Sequence, residues 1–151
     1  MGGIAESALD YLVLETAGQL EIQSLDQIGY RVGYSLAERM ARDRPRFTDT
    51  LDIVKFICKD FWILAFQKQI DNLKTNHRGT YVLSDNSFRW LSTMSSDLIT
   101  PDQATTYYQN HLAIPCGIIR GAMSNLGVNC TVVAEVSSSP SCTFQIKLNS
   151  R

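Results

Sequence analysis

The residue types that carry most enzyme chemistry are few in this chain and poorly spaced for it. Histidine, the usual general base near neutral pH, occurs twice. His77 falls in a predicted turn and His111 on a predicted helix among polar neighbours, and both read as hydrogen-bonding surface residues. Neither accompanies a GxSxG nucleophile elbow or a metal-binding HExxH. The cysteines Cys58, Cys116, Cys130 and Cys142 form no CxxC and no finger-spaced pair with histidine, so neither a zinc site nor a disulfide framework is indicated. Three of them lie among apolar neighbours, where a free cysteine behaves as a small buried hydrophobe. A cysteine nucleophile met by a distant histidine is the remaining catalytic option, and its mark would be one unusually acidic thiol. Gly29 with Gly33 and Gly117 with Gly121 sit inside predicted helices rather than between a strand and a helix, so they suit close helix packing and not a phosphate loop. The reading is no catalytic residue, no cofactor and no metal.

Charge adds two features. Arg39, Arg42, Arg44 and Arg46, diluted by Glu38 and Asp43, read as a solvated helix terminus whose cations complement the helix dipole; a contact for an acidic protein or a lipid headgroup is the alternative. Arg120, set among Ile118, Ile119 and Gly121, must snorkel out or meet a carboxylate, and a structural pair is expected. The whole chain of 151 residues is 44% hydrophobic with a formal charge of −1, which argues for one globular domain and against a dedicated nucleic-acid or anionic-membrane binder. No signal peptide and no apolar run of roughly 18–20 residues is found, so a cytoplasmic protein is expected. Glu6 stands where a myristoylation site needs Ser or Thr, and the sequon at Asn129 would matter only after secretion.

The elements that must position these residues fall into two halves. A short first helix carries Ala8, Leu9, Leu12 and Val13 and ends near Gly18, before a polar linker from Gln19 to Ser24. The second helix is predicted over Leu25 to Met40, capped by Ser24, with an apolar stripe of Leu25, Ile28, Val32, Leu36 and Met40 and a small-residue stripe of Gly29, Gly33 and Ala37. Glycine inside a helix costs about 0.5–1 kcal/mol relative to alanine, so two of them four apart imply that another backbone approaches closely. With Tyr30 and Tyr34 on a further side, this helix has more apolar circumference than a small domain covers, and it reads as both core and partner contact. The third helix is predicted from Phe47 to Phe66, with a core stripe of Phe47, Leu51, Val54, Cys58, Phe61 and Ala65. Its wetter side, Asp52, Lys55 and Lys59, turns apolar at Trp62, Ile63 and Phe66.

From Gln69 the period is two. A hairpin is predicted over Ile70 to Thr75 and Thr80 to Leu83, turning at Asn76–Gly79. A polar turn at Ser84–Ser87 leads to Phe88, Trp90 and Leu91, read as a short strand or anchoring loop, and then to a polar loop from Ser92 to Asp102. A helix over Thr105 to Leu126 follows, kinked or begun at Pro115 and capped by Gly127. A last hairpin alternates Val128, Cys130, Val132, Ala134 and Val136 with polar residues, Val133 excepted, and pairs them with Cys142, Phe144, Ile146 and Leu148. The fold class is therefore α/β of the α+β type: a four-stranded antiparallel sheet with helices on one face, in the order α-α-α-β-β-α-β-β.

Several of these segments carry a family resemblance. Ile28 to Gly33 (IGYRVG), Leu51 to Trp62 (LDIVKFICKDFW), Lys68 to Leu83 (KQIDNLKTNHRGTYVL), Cys116 to Ala122 (CGIIRGA), and the ending at Ala134–Ser137 and Cys142–Gln145 resemble the subunit 6 branch of the transport protein particle (TRAPP) small subunits. The GxRxG and CGxxRGA patterns belong to the wider family, and the central stretch to this branch. The resemblance covers about Leu25 to Leu148. It implies a non-enzymatic subunit of a vesicle tether in ER-to-Golgi and Golgi traffic, whose assembled complex stimulates nucleotide exchange on a Rab GTPase. It further implies a heterodimer with a sister small subunit through the first two helices, contacts with larger subunits, and peripheral association with Golgi and endoplasmic reticulum membranes through the complex. A homodimer in isolation is compatible with the same face. Leu9, Leu12, Val13, Ile28, Val32 and Leu36 are the interface candidates. The acylated cysteine of the sister subunit has no counterpart in Arg42–Arg46, so lipidation is not carried over. The alternative is a small-ligand or lipid-binding module using a hydrophobic cavity under the third helix.

Overall fold

The computed structural model describes residues 22–92, 101–138 and 140–149. The first predicted helix, with Leu9, Leu12 and Val13, lies outside them, as do residues 93–100 of the predicted polar loop.

Helix α1 spans Ile22–Ala41. It begins earlier than predicted and takes Ser24 inside, because the supposed linker contains no glycine or proline to stop a helix growing back through Gln23 and Ile22. Its buried face is Leu25, Gly29, Gly33 and Ala37, so the small-residue stripe is the one that meets the core. The opposing helix, identified here as α5, spans Pro101–Asn125. It starts ahead of the predicted Thr105, with proline in its first position, where the missing N–H costs nothing, and it continues through Pro115. The two helices pack glycine to backbone in both directions: a Cβ added at Gly29 or Gly33 would strike the carbonyl oxygens of Ile114 and Ile118, and one at Gly117 or Gly121 would strike those of Asp26 and Tyr30. Gly127, at φ 91°, ends α5, with its amide on the Ser124 carbonyl and the Val128 amide on that of Met123, 3.0 and 2.9 Å away.

The predicted third helix is three pieces. Helix α2, Thr50–Phe56, is capped by Asp49, which accepts from the Asp52 amide at 2.8 Å, while Asp52 reaches back to the Thr48 amide; Phe47 therefore lies before the helix and not in it. A π-helical segment, Ile57–Phe61, follows, and α3, Trp62–Phe66, completes it. Gln67, at φ 70°, then reverses the chain, and the Ile70 amide donates to the Cys58 carbonyl at 2.9 Å. The segment leading into the first strand thus satisfies a carbonyl of the widened turn. Of the predicted stripe Val54 and Phe61 are buried, Phe47, Leu51, Cys58 and Ala65 are only partly covered, and Ile53, Phe56, Ile57, Trp62 and Phe66 complete the buried face.

Strands β1 (Asn72–Thr75) and β2 (Thr80–Asp85) form the first hairpin, β3 (Cys130–Ser138) and β4 (Ser141–Leu148) the second, and the sheet order is β1-β2-β4-β3, all antiparallel. One register row carries Ala134, Phe144, Leu83 and Leu73 across the four strands on the inner face; the next carries Val133, Gln145, Val82 and Lys74 on the outer face. The helices cover the inner face only, as the alternation of the sequence requires. Two local expectations change. The short segment after β2 is a helix, α4 (Arg89–Ser92), which plants Phe88, Trp90 and Leu91 in the core. His111, expected at the surface, is buried, because residues 111–115 of α5 are covered on every side.

Candidate partner-binding surface

With α1 sealed against α5 through glycines, another side of α1 is exposed among the described residues. Ile28 and Val32, one turn apart, are 41% and 48% exposed. Leu36, the next of the interface candidates, grades into the core and is partly buried against it. Leu9, Leu12 and Val13 lie outside the described residues. On a third side of α1, Tyr30 and Tyr34 stack with ring centroids 6.1 Å apart, and the Tyr30 hydroxyl and the Ser124 hydroxyl share a hydrogen bond of 2.7 Å.

Arg120 behaves as expected of a charge in an apolar helix. Its guanidinium pairs with Asp26 of α1 and lies 4.4 Å from the centre of the Tyr30 ring. A hollow of about 520 Å³ opens beside this pair, between α1, α5 and β3, with Leu112, Ala113, Cys116, Val132 and Ala134 on its walls. Its cation is already neutralised. The inner side of α2, the π segment and α3 is filled by rings instead: Trp62 lies 4.5 Å from Phe66, 5.3 Å from Phe144 and 6.1 Å from Phe88, centre to centre.

A polar hub that the sequence does not announce sits at the edge of this aromatic cluster. Asp85, 1% exposed, accepts from Trp62 Nε1 at 2.9 Å, from Lys68 Nζ at 2.8 Å and from the Ser87 amide at 3.0 Å. Lys68 also reaches Asp71 at 2.7 Å. Hydrogen bonds from Lys68 and from the Asn86 amide hold the Asp71 carboxyl below its ordinary range. Desolvation opposes it, but hydrogen bonds to Asp71 and Asp85 hold Lys68 above its own. The arrangement is structural, since both oxygens of the buried Asp85 are engaged from within the fold. Its one advance signal was an aspartate at an inward register position of an alternating strand.

The titratable groups do not converge. Desolvation pushes the thiols of Cys58 and Cys116 up to about 12 and that of Cys130 to about 11, and raises Cys142 further still. That is the reverse of an activated nucleophile. His77 sits in the exposed β1–β2 turn at φ 58°, held by its amide on Thr75 Oγ1. Among the described residues no group of three or more His, Cys, Asp or Glu side chains could hold a metal, and no helix is long and apolar enough to cross a membrane.

The family model for the transport protein particle (TRAPP) component matches residues 5–149. The chain belongs to the TRAPP component family, in its subunit 6 branch. It is 54% identical over 127 residues to human trafficking protein particle complex subunit 6B, covering 84% of this chain and 78% of that one. Human subunit 6A is 44% identical over 128 residues, 85% and 78% of the two chains. In fold, this TRAPP component is similar to a crystal structure of trafficking protein particle complex subunit 3 from Naegleria fowleri covalently bound to palmitic acid, at a TM-score of 0.68 and 16% identity over 95% of this chain and 97% of that one.

Proposed function

We propose that this TRAPP component is a non-catalytic structural subunit, one domain over residues 1–151, that pairs with a sister small subunit across the open side of α1. The observation that carries the reading is the division of α1: glycines face α5, and Ile28 and Val32 face outward with nothing described above them. Exposed large aliphatics one turn apart on a helix are what a helix-pairing interface requires, and with more than half of each already covered, burying the rest on association is worth roughly 1 kcal/mol apiece. Leu36 borders the interface, and Leu9, Leu12 and Val13 supply the first helix's share. The heterodimer joins larger TRAPP subunits in a particle that tethers vesicles in ER-to-Golgi and Golgi traffic and, as an assembly, supports nucleotide exchange on a Rab GTPase. It is held at those membranes peripherally, from the cytoplasm, through the complex. Raised thiols and a committed Arg120 support a structural role over a catalytic one.

The test is copurification with a sister subunit, followed by size measurement of the isolated and mixed chains. Ile28→Asp with Val32→Asp abolishes the heterodimer while the thermal midpoint of the isolated chain holds. Wild-type pairing by the double variant ends the reading. The same face permits a homodimer when no sister subunit is present, which the size of the isolated chain reads directly.

A further inference from the structure

The arginine run after α1 was ambiguous between a solvated terminus and a contact, and the structure separates its members. Arg44 is committed: it pairs with Asp60 at 2.6 Å, lies 4.6 Å from the centre of the Phe56 ring, and its amide closes a turn onto the Ala41 carbonyl at 3.2 Å. That anchoring fixes the loop. Arg42 and Arg46, two residues to either side, are exposed and have no ion-pair partner among the described residues. Both line a hollow of about 490 Å³ between the C-terminal ends of α1 and α5, where Phe47, Ile53 and Leu126 provide an apolar surface and Glu38 stands at the side. The 520 Å³ hollow beside Arg120 differs in this respect, since its cation is already spent on Asp26.

We propose that this hollow is a docking site for an acidic peptide segment of another protein, one carrying an aliphatic or aromatic side chain between carboxylates. The apolar side chain enters against Phe47, Ile53 and Leu126, and the carboxylates meet Arg42 and Arg46, whose planar forks suit bidentate pairing. Partial negative charge at the two helix C-termini and the Glu38 carboxylate oppose an anion beside them, so the peptide carboxylates gain only where they reach the Arg42 and Arg46 guanidinium groups directly. A bilayer is the poorer occupant, because the site is concave and a flat anionic surface does not carry an apolar side chain onto Phe47, Ile53 and Leu126 between its headgroups. This surface is separate from the open side of α1, so either assignment can fail without the other.

The probe is a fluorescein-labelled peptide with Glu-Glu-Phe-Leu-Glu-Glu at its centre, titrated against the full chain by anisotropy at 50 and 300 mM salt. Binding is expected at low salt and weaker at high salt. Arg42→Glu with Arg46→Glu reduces affinity about tenfold or more, whereas Lys55→Glu with Lys59→Glu, on the exposed side of α2 and the π segment, changes it little. Replacing Phe-Leu by Gly-Gly in the peptide also weakens binding. Because Arg42 and Arg46 are exposed and unpaired, the unfolding midpoint of their double variant falls only slightly, by the lost complement to the α1 dipole, and the variant stays folded at the temperature of the titration. Equal binding by that variant, no binding by the wild type up to millimolar peptide, or binding to vesicles of 30% phosphatidylserine in place of the peptide overturns the proposal.

Discussion

Along the α1–α5 seam, backbone meets backbone: four glycines lie against the carbonyls of Ile114, Ile118, Asp26 and Tyr30. Between α3 and the sheet, contact is made entirely by large side chains, with Trp62, Phe66, Phe88 and Phe144 packed around one another and Asp85 drawing the indole and Lys68 together. The two regions fail in different ways. A backbone seam has no flexible atom that can yield, so it rejects any added volume. The aromatic region can repack after a change of volume but cannot leave its buried carboxylate or its donors without partners.

The largest effect is therefore expected in the seam, from Gly33→Leu. Gly33→Ala, which in an ordinary helix stabilises by roughly 0.5–1 kcal/mol, here destabilises by about 1–3 kcal/mol, and Gly33→Leu prevents stable folding; denaturant melts give the sign. If Gly33→Ala stabilises the chain, the two backbones are not in contact and the contrast collapses. Next comes Asp85→Ala, which strands Trp62 Nε1 and Lys68 and costs about 2–4 kcal/mol, against roughly 1–2 for Trp62→Phe, which removes one donor and leaves Lys68 in place. Equal losses would mean that the hub is packing alone. A smaller effect is carried by pH. The lowered carboxyl of Asp71 contributes stability that is complete above the ordinary aspartate range near 3.9 and is lost as pH falls through its folded value, so Asp71→Asn flattens the acid limb of the stability profile. The raised Lys68 works at the other end, its contribution complete below about 10.4 and lost as pH rises past it. The mildest test is chemical: at pH 7.5 all four cysteines react slowly with a maleimide, and one fast site would reopen the question of a nucleophile.

The sheet was legible because alternation is a two-residue signal that the register cannot disobey once one face is buried, and the second hairpin shows it within one or two residues at each end. The glycine pairs were legible because nothing but close approach justifies them. The third helix misled at helical spacing for an identifiable reason. Phe56, Phe61 and Phe66 recur at intervals of five, as do Ile57 and Trp62, a spacing that a π turn with its i→i+5 hydrogen bonds brings much nearer to one face than an α-helix does. His111 misled because its polar neighbours in sequence say nothing about helices that pack around it from elsewhere. Asp85 was read as part of a turn, since its partners are 17 and 23 residues away and meet it only in the folded chain. Ile28 and Val32 were found as apolar positions, but only the glycine seam shows that their side is the one left outward.

The Cys58–Ile70 hydrogen bond gives the widened turn a significance for how such a chain can change in length. Deleting a residue from an α-helix swings everything beyond it by about 100°, which would carry Trp62 and Phe66 out of the aromatic cluster. Within Ile57–Phe61 the chain holds one residue more than an α-turn needs, so a deletion there closes the turn and leaves the downstream side chains pointing inward. This five-residue stretch is the place where the helix can lose a residue and keep its core.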